Sequence, residues 1–163
     1  MLKDTHTEPT VGVVESKTIK LALPPEGFVL EKGGALPEVF VTYERCGAIR
    51  PDNRNVVFVC HALTGDAHVA GIRPGETEPS GWWEGMIGPG KGIDTDHYQV
   101  IRANILGGCK GTTGPSSINP ATDKPYGSAF PKITVGDIVE IHRLLLRQLG
   151  VQRLAGIMGG SFG

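Results

Sequence analysis

The chain has 163 residues, of which 39% are hydrophobic, and its 16 basic side chains nearly balance its 17 acidic ones. That length and apolar content suit one domain with a core of its own. The net charge of -1 gives no electrostatic reason to expect nucleic acid or an anionic membrane surface as a partner.

The N-terminal residues are polar and lack the apolar segment of a signal peptide. The longest apolar runs are too short to cross a bilayer, so no membrane partner is expected. Three cysteines, odd in number and widely spaced, do not indicate a disulfide framework. We therefore expect a cytoplasmic protein with a flexible segment over residues 1–17 and one domain over residues 18–163.

Short runs rich in β-branched and aromatic residues predict strands in the first two thirds of the chain. They cover residues 18–23, 28–30 (one arm of a hairpin that turns at Gly33 and Gly34), 39–44, 56–60 and 98–103. The run at 56–60, Val-Val-Phe-Val-Cys, is apolar throughout, which is typical of a strand buried on both faces. Between the last two strands, residues 61–97 are rich in Gly and Pro and leave room for one short helix at most.

One amphipathic helix is predicted near the C-terminus. Thr134 and Asp137 have the spacing of a capping box, and apolar residues then recur on one helical face at Ile138, Ile141, Leu144, Leu145 and Leu149. Residues 153–158 follow as another buried strand. Strands alternating with helices predict an α/β fold with a mostly parallel sheet and crossover helices, in which ligands bind beyond the carboxyl ends of the strands.

The last five residues, Gly-Gly-Ser-Phe-Gly, match the G-x-S-x-G pattern of a nucleophile elbow. In this turn the serine stands between a strand and a helix, and small residues two before and two after it avoid clashes. Ser161 is thus a candidate nucleophile, supported by the apolar strand that precedes it. With 24 glycines in the chain, an ordinary glycine-rich turn is the alternative.

An acyl-transfer elbow also needs an oxyanion hole, built from the amide after the serine and an amide in the loop after an earlier strand. Phe162 supplies the first amide. Leu63 is the candidate for the second, because its loop directly follows the buried strand at 56–60. His61 in that loop is interpreted as a brace for the loop and not as a proton-transfer group.

Three further features could suggest other chemistry, and none is assigned to it. Residues 85–91 have the G-x-x-x-x-G-K frame of a phosphate-binding loop, but Gly92 replaces the Ser or Thr that would hold magnesium, and no strand precedes the frame. Cys60, His61 and His68 do not have the spacing of a tetrahedral metal site, so no metal is expected. Cys109 is interpreted as a small buried residue and not as a reactive thiol.

With these loops identified, the chain resembles the homoserine O-acetyltransferase family, which has the α/β-hydrolase fold. The resemblance runs from about Val11 to the end of the chain, and the Gly-Pro-Ser-Ser-Ile-Asn-Pro block is more specific than the elbow. The matching segments are residues 61–68 (HALTGDAH), 81–84 (GWWE), 87–91 (IGPGK), 93–96 (IDTD), 104–111 (NILGGCKG), 113–120 (TGPSSINP), 125–127 (PYG) and 159–163 (GGSFG).

The resemblance implies transfer of an acetyl group from acetyl-CoA to the hydroxyl of L-homoserine, an early step of methionine synthesis, by a cytoplasmic homodimer. It implies that Ser161 is the nucleophile that becomes acylated in a ping-pong reaction, with Leu63 and Phe162 as backbone oxyanion donors. No cofactor is implied beyond acetyl-CoA as the acyl donor.

The fold places the catalytic acid and histidine after the serine in the chain order. Asp137 and His142 precede Ser161 on a helix whose pattern indicates capping and packing, so neither is assigned to catalysis. The family's aspartate, histidine, lid helices and carboxylate-binding arginine are expected beyond this chain, which is therefore expected to be inactive alone.

Other functions remain open from the sequence. A transferase specific for a succinyl donor or for serine as acceptor, and an esterase, share the fold and the motifs. A non-catalytic truncated fragment is the second alternative, and a phosphate-binding module built on residues 85–91 is the third.

Overall fold

The computed structural model describes residues 9–163. The strands and helices in chain order are β1 (Lys17–Lys20), β2 (Phe28–Val29), β3 (Ala35–Leu36), β4 (Phe40–Gly47), β5 (Val56–Cys60), β6 (Ile87–Gly88), β7 (Ile93–Asp94), β8 (Gln99–Ala103), β9 (Ile118–Asn119), β10 (Lys124–Pro125), a 3-10 turn (Gly127–Ala129), α1 (Val135–Gln148) and β11 (Gly156–Gly159).

The expected flexible segment 1–17 falls partly on residues 1–8, which lie outside the described residues. Within its remainder, Val14 is buried and its amide donates to the carbonyl of Ile72 at 2.9 Å. The hydroxyl of Ser16 donates to the Glu44 carboxylate at 2.6 Å. These contacts fix the described end of the segment against the domain.

The main sheet has five strands in the order β1-β4-β8-β5-β11. The β8–β5 and β5–β11 pairs are parallel, whereas β4 is antiparallel to both of its neighbours. Four of the five strands therefore point in one direction, which confirms the mostly parallel sheet. The predicted hairpin is also present, since β2 pairs with β3 around the Gly33-Gly34 turn.

Strand β5 lies inside this sheet and is buried on both faces, as its apolar run predicts. Phe58 faces a core that includes α1, whereas Val57 and Val59 face a second, smaller core. An apolar strand with a hydrogen-bonded neighbour on each side is stable in this position because both of its faces are removed from water. The strand therefore holds the loop that follows it, beginning at His61, in a fixed place.

Helix α1 begins at the predicted capping box. The Asp137 amide donates to Thr134 Oγ1 at 3.1 Å, and the Thr134 amide donates to Asp137 Oδ2 at 2.7 Å. Asp137 Oδ1 accepts a further bond from the Glu31 amide, which joins the β2–β3 hairpin to the start of the helix. No helix within residues 9–163 is both long and apolar enough to cross a membrane.

Helix α1 makes the β8–β11 crossover, and the β5–β8 crossover contains only the short β6–β7 pair within residues 61–98, in agreement with at most one short helix predicted there. One feature differs from the prediction. Strand β11 is shorter than predicted and is not buried, and among the described strands it pairs only with β5 and forms an edge. The side chains of Ile157 and Met158 are 66% and 42% exposed.

Candidate active site

Ser161 lies in a tight turn directly after β11. Its φ is +58°, a left-handed conformation that costs a non-glycine residue on the order of 1–2 kcal/mol. The Gly163 amide donates to the Gly160 carbonyl at 3.1 Å and closes the turn. A serine with a left-handed φ at the carboxyl end of a parallel strand is the geometry that the nucleophile-elbow pattern predicts, and its role as nucleophile stays a prediction.

Two positions before and two positions after Ser161, the neighbouring backbone leaves no room for a side chain, so only glycine fits. A Cβ on Gly163 would lie 2.5 Å from the Cys60 carbonyl oxygen, and a Cβ on Gly159 would collide with the Gly163 carbonyl oxygen. By contrast, a Cβ on Gly160 would meet no atom within 4 Å. The close approach of the turn to the end of β5 therefore explains why positions 159 and 163 are glycine.

Strand pairing brings the elbow and the Leu63 loop to the same edge of the sheet. Gly159 pairs in parallel register with Cys60, so both strands end at the same level. Leu63 and Phe162 then line one cavity of about 370 Å³. Apolar side chains from the loop after β8 and from the start of α1 form its other walls, among them Ile105, Leu106, Ile133 and Ile138.

The two candidate oxyanion donors have free amides. Within residues 9–163, neither the Leu63 amide nor the Phe162 amide donates a hydrogen bond to another group. Their side chains are 66% and 42% exposed, so neither residue is held by burial of its side chain. Unpaired amides at the edge of a cavity can donate to an oxyanion, and this role stays a prediction for both residues.

His61 is buried and hydrogen-bonds its own loop. Its Nδ1 donates to the Ala62 carbonyl oxygen at 2.6 Å, and its Nε2 has no partner among the described residues. This contact fits the expected bracing role. Within the described part of the chain, no hydrogen bond joins His61 to Ser161.

His142 lies in the core and not in the site. Its ring packs against Phe58 with 5.1 Å between centroids, and burial lowers its pKa to about 4. The ring is therefore neutral at pH 7 and shielded from solvent, which fits the packing role predicted from the helix pattern. Asp137 is occupied by the capping box, so the described residues bring neither group to Ser161.

Cys109 was expected to be buried, and this is wrong. The residue is exposed and lines the same cavity as Leu63 and Phe162. Within the loop after β8, Leu106 is buried in the core, whereas Cys109 is exposed three residues later. The sequence did not reveal this because the loop has no periodic pattern.

The contacts of the 85–91 loop and the metal-binding capacity of the described residues bear on the two competing motifs. The Lys91 ammonium donates to the Glu84 carbonyl and carboxylate at 2.6 and 3.2 Å, and the Gly90 amide donates to Asp94. These donors of the 85–91 loop are therefore occupied by acceptors of the protein itself. Residues 9–163 also contain no group of three His, Cys, Asp or Glu side chains that could hold a metal ion.

The chain is similar to proteins of known name, although no family model matches it. It is 53% identical over all 163 residues to a homoserine O-acetyltransferase of Methanocorpusculum labreanum, and covers 31% of that protein. It is 49% identical over 154 residues to a homoserine O-succinyltransferase of Nocardioides sp., with 94% of this chain and 42% of that protein covered.

Solved structures agree with these relatives. The homoserine O-acetyltransferase from Bacillus anthracis superposes with a TM-score of 0.84 at 35% identity, covering 93% of this chain and 41% of that one. The chain is a homologue of the homoserine O-acetyltransferases. Esterase E22 superposes with a TM-score of 0.82, also at 35% identity, covering 92% of this chain and 41% of the esterase.

The chain spans between about a third and two fifths of the length of these relatives. The five-stranded sheet and helix α1 of residues 9–163 are a part of the α/β-hydrolase fold that the solved structures share. The elbow, the Leu63 loop and the cavity between them all belong to this part.

Sequence reasoning missed one residue beside the site. The Asn104 side chain, directly after β8, accepts from the Ala67 amide at 2.7 Å and donates to the Lys110 carbonyl. It thus ties the Leu63 loop to the glycine-rich loop across the cavity. Asn104 follows a predicted strand directly, and ligands bind beyond the carboxyl ends of parallel strands. This position could have identified the residue from the sequence.

Proposed function

We propose that this chain forms the nucleophile and oxyanion part of a homoserine O-acetyltransferase. The observation that carries the proposal is Ser161 in a left-handed turn, next to Phe162, which together with Leu63 lines a cavity. Similarity to named acetyltransferases over the whole chain supports acetyl-CoA as donor and L-homoserine as acceptor.

The proposed reaction has two acyl transfers through one covalent intermediate. Ser161 Oγ attacks the thioester carbonyl of acetyl-CoA while a base removes the hydroxyl proton. The amides of Leu63 and Phe162 stabilise the resulting oxyanion; the carbon–sulfur bond then breaks, and CoA leaves as its thiol after taking a proton. The homoserine hydroxyl attacks acetyl-Ser161 in the same way, giving O-acetylhomoserine and free serine.

A base for these steps is proposed to come from the part of the full-length enzyme that this chain does not match. His61 bonds to its own loop, and His142 is buried against Phe58. A catalytic aspartate and histidine in later sequence would follow the chain order of this fold. A homodimer in the cytoplasm is part of the same proposal, and size-exclusion chromatography of the full-length enzyme tests the dimer.

A chimaera tests the activity directly. In it, these 163 residues replace the segment that they match in the Methanocorpusculum labreanum relative, which is 53% identical over that length. We expect release of CoA from acetyl-CoA that depends on homoserine, with O-acetylhomoserine as the product. A folded chimaera that transfers no acetyl group to homoserine would contradict the proposal, and assays with succinyl-CoA and with serine identify the other transferases.

An ester hydrolase is the second candidate, favoured by the similarity to esterase E22. The two functions differ in what attacks the acetyl-serine. In an esterase water attacks and gives acetate, whereas in the transferase homoserine attacks and gives O-acetylhomoserine. The ratio of acetate to O-acetylhomoserine at increasing homoserine concentration separates them. A transferase is expected to shift this ratio strongly towards the ester, and an esterase leaves it unchanged.

The oxyanion role of Leu63 gives a separate prediction. In the chimaera, Leu63→Pro removes the amide hydrogen and is expected to reduce the acylation rate by about 10²–10³-fold, the usual effect of losing one such donor. Leu63→Ala keeps the amide and is the matched control, with a modest decrease expected because the side chain is 66% exposed. Single-turnover release of CoA measures both, and near-normal rates in Leu63→Pro would exclude the role.

A further inference from the structure

Three charged or titratable side chains are buried together between β4, β8 and the segment that follows the Leu63 loop. Arg102 and His68 have fully buried side chains, and the side chain of Glu44 is 2% exposed. Arg102 Nη2 donates to Glu44 Oε2 at 3.1 Å, and His68 Nδ1 lies 3.0 Å from the same oxygen. Burying such groups is costly, and pairing reduces this cost without making the cluster a strong source of stability.

The cluster holds the backbone of residues 67–71, which has no strand or helix of its own. Arg102 donates from Nε to the Ala67 carbonyl at 2.9 Å and from Nη2 to the Ala70 carbonyl at 3.2 Å. His68 Nε2 lies 3.0 Å from the Gly71 carbonyl oxygen. Side-chain donors therefore satisfy the carbonyls that a regular element would otherwise pair.

Ala67 is the end of the Leu63 loop that the cluster fixes. Its carbonyl accepts from Arg102 in β8, and its amide donates at 2.7 Å to Oδ1 of Asn104, directly after β8. Both backbone polar groups of Ala67 are therefore held by side chains. The other end of the loop is Cys60, held in β5 by its neighbours. Leu63 lies between these two anchors, four residues before Ala67.

We infer that Arg102, with Glu44 and His68, is a positioning residue that sets the place of the Leu63 amide for acyl transfer. An oxyanion donor must lie within a few tenths of an ångström of its productive position, because a displacement of about 1 Å can reduce the rate by about 100-fold. A loop held at only one end would leave the amide to sample many positions. The inference rests on the proposed oxyanion role of Leu63.

Arg102→Met in the chimaera tests this inference. We expect the acylation rate to fall by about 10- to 100-fold with little change in the KM for acetyl-CoA, because the donor is misplaced and the binding site is not. Arg102→Lys keeps the charge but loses the planar fork, and an intermediate rate is expected. If Arg102→Met fails to fold, Glu44→Gln is the second variant, since it keeps the shape and an oxygen acceptor for Arg102.

Asn55→Ala is the matched control for general destabilisation. Asn55 is also buried, and its side chain donates to two loop carbonyls, those of Ala48 and His97, both at 2.8 Å. It precedes β5 and thus lies at the opposite edge of the sheet from Leu63. We expect a lowered Tm with a rate within about threefold of the parent chimaera, since the side-chain hydrogen bonds of Asn55 go to Ala48 and His97 and not to the Leu63 loop.

A double-mutant cycle separates positioning from mere packing. Once Leu63→Pro has removed the amide, Arg102→Lys should slow acylation no further, since no donor remains to be placed. Additive losses in the double variant would overturn the inference, as would an Asn55→Ala rate as low as that of Arg102→Met. If homoserine is not the acceptor, hydrolysis of an acetyl ester serves as the readout of acylation. Failure of the proposed function can then be distinguished from failure of the inference about Arg102.

Discussion

Ser161→Ala in the chimaera is expected to abolish acetyl transfer and to leave no acetylated protein after incubation with acetyl-CoA. The hydroxyl is the only group of the residue that reacts, and loss of a nucleophile of this kind reduces the rate on the order of 10⁶-fold. Intact-protein mass spectrometry after rapid quenching detects the acetyl-enzyme, and CoA release measures turnover. Persistent acetylation of the variant would remove Ser161 from the mechanism.

Ser161→Gly is the matched control because it separates chemistry from stability. Glycine adopts φ of +58° without strain, so this variant is expected to be more stable than the parent by about 1 kcal/mol, yet equally inactive. Loss of activity together with a raised Tm cannot be ascribed to unfolding. Retained activity in Ser161→Gly would contradict the nucleophile assignment as directly as persistent acetylation would.

Residues 1–163 made alone are expected to associate and to lack acetyltransferase and esterase activity. Strand β11 is an edge, and the side chains of Ile157 and Met158 are 66% and 42% exposed. Open apolar edges pair with other chains. Size-exclusion chromatography, thermal unfolding and a CoA-release assay test the expectation.

Ile157→Lys is the matched variant for this second prediction. A charge on the edge strand disfavours strand addition, so the variant is expected to elute at a smaller apparent size and to remain inactive. A monodisperse, cooperatively unfolding chain that transfers acetyl groups from acetyl-CoA would overturn the prediction. An unchanged elution profile in Ile157→Lys would place the association at another surface.

The strands and the helix near the site followed from local patterns. The run at β5 and the Thr134–Asp137 box each specify their element within a few residues, because burial on both faces and helix capping leave clear signatures. The G-x-S-x-G pattern after an apolar run predicted a tight turn at Ser161, and the turn is present, whereas its role as a nucleophile elbow stays a prediction. Pairing of parallel strands then placed the Leu63 loop beside it.

Features that depend on distant partners were not predictable from the sequence. The exposure of Cys109 depends on where an irregular loop turns, and nothing in its local sequence sets this. Burial of Arg102 contradicts the usual tendency of arginine to stay at the surface, and only the positions of Glu44 and His68 explain it. Ile157 is apolar yet exposed because it packs into neither of the two described core clusters, and this depends on what covers the sheet and not on local sequence.

The order of strands in the sheet also determines when the candidate site can form during synthesis. The β5–β11 pair joins Val57 to Gly156, about a hundred residues later, and β8 pairs with β5 from the other side about forty residues after it. Contacts so distant in sequence form slowly, since closing long loops precedes any gain from pairing. As the chain leaves the ribosome, β5 therefore remains an apolar strand with open sides until β8 and then β11 have emerged. During that interval the Leu63 loop has no serine beside it, and the unpaired edges of β5 are open to pairing with other chains.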